Sequence, residues 1–338
     1  MPTARFHSAL FGEKLANQQT RCFACAHFCT IRPEHYGICG VRKNIEGELF
    51  TNVYEHPVAV HSDPIEKKPL FHFLPGSKTL SLGTAGCNFR CDFCQNYDIS
   101  QMRGEQVVGD YVSVTDAVDR AESQGCSSMA YTYNEPVVFI EYVLDVAAEA
   151  KKRGLKNVYI SNGFESEEAL KLLAVNIDAM NIDLKSFSDK FYQRLCKGRL
   201  EPVLKTIRLA YEMGIWIELT TLLIPGENDS EEEIRSIAGF IASLSKDIPW
   251  HISRFFPTYK MTHTLPTSID KLESAREIGL EEGLRYVYTG NIPHENNITS
   301  CSKCGHELIA RNRYELLQVH LKEGRCPNCG HILPGVFQ

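Results

Sequence analysis

The chain has 338 residues, 43% hydrophobic and 23% charged, with a formal net charge of −6. This composition suits one large globular domain or two to three smaller ones, and its acidic balance speaks against a general nucleic-acid-binding surface. No apolar run approaches the roughly 18 residues of a membrane span, and the N-terminus lacks a signal peptide's apolar core, so a cytoplasmic protein without a membrane partner is expected.

Thirteen cysteines are many for such a chain, and eleven fall in three groups, leaving Cys126 and Cys196 alone. In a reducing compartment, clustered cysteines point to metal before disulfides. The two isolated ones read as buried small hydrophobes. The first group is Cys22, Cys25, Cys29 and Cys39, with His27 among them. Four thiolates can close a tetrahedral zinc site or ligate an accessory iron–sulfur cluster, and the spacing fits either. A module of residues 1–60 has little core of its own, so bound metal is expected to supply folding energy.

Residues 61–76 follow, with prolines at 64, 69 and 75 that rule out a long helix. The stretch reads as an extended lead-in whose charges are solvated. From residue 79 to about 290, short apolar runs alternate with amphipathic helical patterns. Strands are predicted at 79–83, 128–133, 157–161, 178–183, 215–223, 250–255 and 285–288. Helices are predicted at 115–124, 136–153, 166–174, 201–213, 230–245 and 268–282. Pro136 suits a first helical turn, Ser166 and Ser230 suit N-caps before acidic residues, and Gly154, Gly214 and Gly283 suit helix stops. Strand–helix repetition predicts an α/β fold, a partial (β/α)6-type barrel over residues 61–297, with a doubly wound sheet as the alternative.

The loop after the first of these strands, Gly83-Thr-Ala-Gly-Cys-Asn-Phe-Arg-Cys-Asp-Phe-Cys-Gln-Asn96, carries Cys87, Cys91 and Cys94 as C-x3-C-x2-C. Three thiolates suit a cuboidal cluster with one open iron, the logic of a catalytic metal site. Other strand ends carry Asn134 and Glu135, Asn162, Asp183 and Lys185, Glu218 and Thr220, and His251, where βα folds place their chemistry. Residues 298–338 carry Cys301-x2-Cys304 and Cys326-x2-Cys329, two knuckles of a zinc-ribbon or rubredoxin-like four-thiolate site for zinc or iron.

Taken together, the cysteine loop, Asp63-Pro-Ile-Glu-Lys-Lys-Pro-Leu70, Tyr133-Asn-Glu-Pro136, Asp183-Leu-Lys185, Ile332-Leu-Pro-Gly-Val-Phe337 and the cysteine-rich ends resemble one family. It is the radical S-adenosylmethionine (SAM) protein of the AmmeMemoRadiSam system, related to pyruvate formate-lyase activating enzymes. The resemblance implies a 4Fe–4S cluster on Cys87, Cys91 and Cys94, with the methionyl group of SAM on the fourth iron. It places Phe93 beside the adenine, and Asn134 and Glu135 where relatives carry Gly-Gly-Glu to grip the methionyl amine. Tyr133 and Asn134 depart from those glycines. Asn162 and Asp183 would serve the ribose and carboxylate, with Lys185 and His251 as further contacts. The implied reaction is reductive cleavage of SAM to a 5′-deoxyadenosyl radical that abstracts hydrogen, fed by flavodoxin or ferredoxin. Memo-like and AMME-syndrome-protein-like partners are implied by the subfamily. A glycyl-radical activase, the same chemistry on a small molecule or RNA, and a non-catalytic metal scaffold are the competing readings.

Overall fold

A computed structural model describes residues 6–292 and 296–337. An eight-stranded sheet organises the chain: β1 (Ala59–Pro64), β2 (Lys78–Gly83), β3 (Ser128–Tyr131), β4 (Lys156–Ser161), β5 (Ala179–Asp183), β6 (Trp216–Leu223), β7 (Trp250–Arg254) and β8 (Val287–Gly290). The strands lie side by side in chain order, and β1 and β8 are the two edges. β2 to β8 are parallel and β1 is antiparallel to β2. Six helices make the crossovers: α1 (Val114–Ser123), α2 (Ile140–Lys152), α3 (Glu167–Leu173), α4 (Leu200–Glu212), α5 (Glu231–Leu244) and α6 (Ile269–Glu281). This is the expected partial barrel, and its seventh parallel strand, β8, overlaps the one predicted at 285–288.

The local reasons are those legible in the sequence. All four residues of β3 are buried, as in parallel strands covered on both faces. Ser113, Ser166, Ser230 and Ser268 cap α1, α3, α5 and α6 by accepting a hydrogen bond from the third residue beyond, each contributing about 1 kcal/mol. α2 starts on a 3-10 turn opened by Pro136 and buries Val143, Val146 and Ala150 against the sheet. Each buried valine contributes roughly 1.5–3 kcal/mol, so Val143→Asp would detach this helix.

The lead-in differs from expectation. Residues 59–64 pair with β2 as an edge strand, and Asp63, Glu66 and Lys68 are 5%, 1% and 3% exposed. These charges are buried and paired, not solvated: the chain turns inward at Pro64 and packs them beneath the barrel wall.

Before β1, two three-stranded antiparallel sheets hold the first cysteine group. Arg42 fastens this region to α2 through two hydrogen bonds to Glu141, of 3.0 and 2.9 Å. After β8, strands β9 (Asn296–Ser300), β10 (Glu307–Asn312) and β11 (Glu315–Val319) form a third small antiparallel sheet. Leu308, Ile309 and Leu333 pack there with Phe71, Tyr286 and Tyr288 of the barrel. The closing segment adds backbone bonds from Leu74 N to Val336 O (2.7 Å) and from Val336 N to His72 O (2.8 Å). Among the described residues, no helix is long and apolar enough to cross a membrane.

Candidate active site and metal centres

The cysteine loop leaves β2 at Gly83, where a side chain would collide with Tyr133 and the Thr132 carbonyl. Gly86 takes φ 83°, and a Cβ there would lie 2.7 Å from the Cys39 carbonyl. Only glycine serves both demands, so the loop is pressed against the N-terminal cysteine region. Further along, Arg90 N–H donates to Cys196 O (3.0 Å) and Asp92 N–H to Leu195 O (2.9 Å). These bonds come from a π-helical turn at residues 192–196, a form that recurs at functional sites.

Cys87, Cys91 and Cys94 line one cavity with Phe93, Asn134, Asn162, Asp183 and Lys185. The cavity opens to solvent at its mouth, and its volume of about 480 Å³ lies within the ~300–1,000 Å³ usual for a small-molecule pocket. It lies at the C-terminal ends of the parallel strands, as the sequence predicts. The Cys87 sulfur accepts from Phe89 N–H at 3.4 Å, and the Cys94 sulfur lies 3.3 Å from Ser100 Oγ. Burial pushes the Cys87 and Cys94 thiols up. Cys196 is fully buried, and its thiol hydrogen-bonds Cys91. It was expected only as a small hydrophobe, and nothing in its local sequence signals the contact. Cys126 matches that expectation, buried with its sulfur 3.5 Å from Ser62 Oγ.

Asn134 lines the cavity, but its amide braces the loop: Nδ2 donates to Gly86 O (2.6 Å) and Oδ1 accepts from Thr84 N–H (3.3 Å). Tyr133 before it has φ 71°, the left-handed conformation that glycine adopts freely. Its hydroxyl offsets the strain by donating to Asp63 Oδ2 at 2.6 Å. Lys185 Nζ donates to Asp183 Oδ2 at 2.8 Å and sits 5.8 Å from the Phe93 ring centroid. Burial would lower the Lys185 ammonium, but Asp183 and the nearby thiols hold it well above its ordinary value. The Asn162 side chain donates to Asn88 Oδ1 at 2.7 Å.

Glu135 and His251 stand apart from this lining. Glu135 is 1% exposed, and its carboxylate accepts from Asn162 N–H (2.8 Å), Ser161 Oγ (3.1 Å) and Val137 N–H (3.2 Å). Burial and the neighbouring Glu165 push its carboxyl well up. From there it sets the position of Asn162 and faces no ligand space. His251 Nε2 donates to Glu218 Oε2 at 2.7 Å inside the barrel.

The lead-in supplies residues that the sequence reading missed. Lys68 lines the cavity and donates to Asp63 Oδ2 at 2.7 Å, its ammonium 4.5 Å from the Tyr133 ring centroid. Ser81 Oγ and Lys67 also donate to Asp63. Burial raises the Asp63 carboxyl, but its lysine and tyrosine donors outweigh that and hold it well below the usual range. The signal available was an Asp–Lys pair framed by three prolines.

The C-terminal knuckles bring Cys301, Cys304, Cys326 and Cys329 together, all four sulfurs within 4.8 Å of one another. Cys301–Cys329 and Cys304–Cys326 are each 3.6 Å apart. Ligands ~2.3 Å from a tetrahedral ion lie about 3.8 Å apart, so this set fits a single metal ion. The Asn328 side chain and the His306 backbone draw the Cys304 thiol down to about 6, which favours the thiolate a metal needs. Among the described residues, no other three or more Cys, His, Asp or Glu donors are this compact. Cys87, Cys91 and Cys94 thus do not all come within 4.8 Å of one another.

Known proteins agree with this geometry. The Radical SAM superfamily profile matches residues 81–238, from β2 to α5. An uncharacterised protein of Methanocaldococcus jannaschii is 42% identical over 95% of this chain and 97% of its own length. The pyruvate formate-lyase-activating enzyme of Clostridium pasteurianum is 24% identical over 50% of this chain and 71% of that enzyme. A radical SAM methyltransferase from Sphaerobacter thermophilus shares the fold, with TM-score 0.51 and 16% identity over 65% of this chain and 68% of that one. With its three cysteines at the mouth of a partial barrel, the chain belongs to the radical SAM superfamily, whose members use a 4Fe–4S cluster and SAM.

Proposed function

We propose that this protein cleaves SAM reductively and directs the resulting 5′-deoxyadenosyl radical at a substrate C–H bond. The observation that carries this reading is the single cavity shared by Cys87, Cys91, Cys94, Asn162, Asp183 and Lys185. The three cysteines would hold the cluster. Once bound, the reduced cluster and SAM supply the radical; the protein's own part is binding, orientation and exclusion of water. Phe93 and the aliphatic walls shield the reacting centre. The paired Asp183 and Lys185 offer one anion and one cation to the polar ends of SAM, and Asn162 offers a carboxamide held by Asn88, with its backbone N–H fixed by Glu135. Lys68, kept in place by Asp63, adds a second cation at the same wall. A low-potential flavodoxin or ferredoxin is the electron donor in this reading.

The likeness to pyruvate formate-lyase-activating enzyme supports a second reading, activation of a glycyl-radical protein. The motif resemblance favours the AmmeMemoRadiSam branch, with Memo-like and AMME-syndrome-protein-like partners, and a division at about residues 60 and 297 into flanking metal modules and a catalytic core.

Anaerobic incubation of the reconstituted protein with dithionite and SAM tests the main reading. Formation of 5′-deoxyadenosine that is lost in Cys87→Ala, Cys91→Ala and Cys94→Ala supports it. A fully loaded protein that leaves SAM intact with both dithionite and reduced flavodoxin overturns it.

A further inference from the structure

The first cysteine group does not repeat the geometry of the last. Cys22, Cys25, Cys29 and Cys39 line one pocket, walled by Ile31, Val137 and Val138. Their sulfurs lie too far apart for one tetrahedral ion: no three of them come within 4.8 Å of one another. The C-terminal set, folded by the same rules, does close to that spacing. Cys87, Cys91 and Cys94, where the superfamily places a cluster, likewise do not all come within 4.8 Å of one another.

Two further lining residues leave buried N–H donors without partners. They are Arg42 at Nε and Asn88 at Nδ2. Each residue has spent its other groups: Arg42 on Glu141 and the Leu10 carbonyl, Asn88 on Asn162 and on the carbonyl bond from His27. Orphaned donors of this kind are rare in a folded interior and demand an acceptor. A lone zinc ion offers none beyond the thiolates that enclose it. Inorganic sulfide and the cysteinyl sulfurs of a cluster accept such bonds, and hydrogen bonding to sulfur is a regular part of cluster environments.

We propose that Cys22, Cys25, Cys29 and Cys39 hold a second iron–sulfur cluster, adjoining the Cys87 loop at Asn88, with Arg42 and Asn88 donating hydrogen bonds to its sulfurs. The two centres are neighbours: His27 Nε2 donates to Asn88 O at 2.8 Å, and Asn88 follows Cys87 directly.

The test uses the full chain and does not depend on SAM cleavage. A Cys87→Ala/Cys91→Ala/Cys94→Ala variant is reconstituted anaerobically with iron and sulfide, then assayed for iron, zinc and acid-labile sulfide. The C-terminal site, spaced for a single ion, would contribute no sulfide. Expected are labile sulfide and a reduced-state paramagnetic signal that persist in this variant and disappear when Cys25→Ser and Cys39→Ser are added. A variant that takes up zinc and no sulfide overturns the proposal, as does sulfide that survives the added substitutions. Because those serines can also unfold the N-terminal region, Asn88→Ala in the triple variant provides a second reading. It should keep the sulfide and lower the reduction potential of the signal, through loss of an N–H donor to sulfur. An unchanged potential refutes the assigned contact.

Discussion

Removing Glu141 should detach the N-terminal cysteine region from the barrel. The Arg42 and Glu141 side chains are 3% and 4% exposed. Both carboxylate oxygens accept from the guanidinium, and Leu10 N–H adds a third bond at 2.7 Å. Glu141→Ala leaves the guanidinium buried and uncompensated, a loss of about 3–5 kcal/mol. The paired change Arg42→Met with Glu141→Leu keeps the volume and removes both charges, so it should recover most of that loss. Hydrogen exchange over residues 7–51, followed alongside denaturant unfolding, separates local release from global loss. The expected pattern is a large fall in protection there for Glu141→Ala, a smaller effect on β3 to β7, and recovery in the double variant. If Glu141→Ala costs under about 1 kcal/mol, the pair behaves as a surface bridge and the anchoring role fails.

Three other outcomes follow from single contacts. His72 is fully buried, with Nδ1 donating to Pro334 O (2.7 Å) and Nε2 at 2.7 Å from Tyr288 OH. Burial lowers its pKa from 6.5 to about 4, so the unfolded chain binds the proton first and stability falls as pH drops from 6.5 towards 4. Its share is about 3 kcal/mol across that window; unfolding midpoints at pH 7 and pH 4.5 should converge in His72→Gln, and an equal pH response in both proteins would refute the assignment. Tyr133→Phe removes the hydroxyl bond to Asp63 from a residue held at φ 71°; a loss of about 1.5–3 kcal/mol is expected for a bond to a charged group, and an unchanged thermal midpoint would count against it. Chelation of the C-terminal site should release one metal per chain without labile sulfide and expose Leu308 and Leu333 to dye binding; release of sulfide in step with that metal would contradict a single-ion site.

Strand and helix positions were legible because each has a short-range cause: apolar runs, a serine cap, a glycine stop. The metal-bearing cysteines were legible for the same reason, since spacing along a loop brings sulfurs together. What spacing cannot give is their separation in space. The C-x2-C pairs of the tail close to 3.6 Å, whereas the first four cysteines spread around a pocket, and both read alike as four-thiolate sites. Burial of charge was hidden too. Asp63 and Lys68 look like surface residues until β1 pairs with β2 and brings Ser81 and Tyr133 against them. Nor does a strand-end position give the direction of its side chain, which is why Glu135 turned inward to the backbone of Asn162.

The barrel interior explains the place of His251. Side chains two apart on a strand share a face, so Trp216, Glu218, Thr220 and Leu222 of β6 all point into the same space. Thr220 and Leu222 line the large cavity. Glu218, below them, is fully buried and accepts from Phe71 N–H (2.9 Å), His72 N–H (2.8 Å), Trp216 Nε1 (3.1 Å) and His251. On β7, Ser253 lines the cavity and His251 lies two residues beneath it, in register with Thr220. An incomplete barrel has no closing strands to fill its lower end. Here the lead-in does so by threading Pro69 to Phe73 beneath the cavity: Asn181 Nδ2 holds Pro69 O at 2.7 Å, and Glu218 holds the next turn. The lower layer is therefore a polar plug satisfied within itself, which a buried carboxylate requires. The upper layer turns its polar groups to the cavity, where Thr220 bonds Asn181 and Ser253 accepts from Asn291. His251 belongs to the plug that the C-terminal tail grips from below at His72, and the same tail also lines the cavity itself with Tyr314.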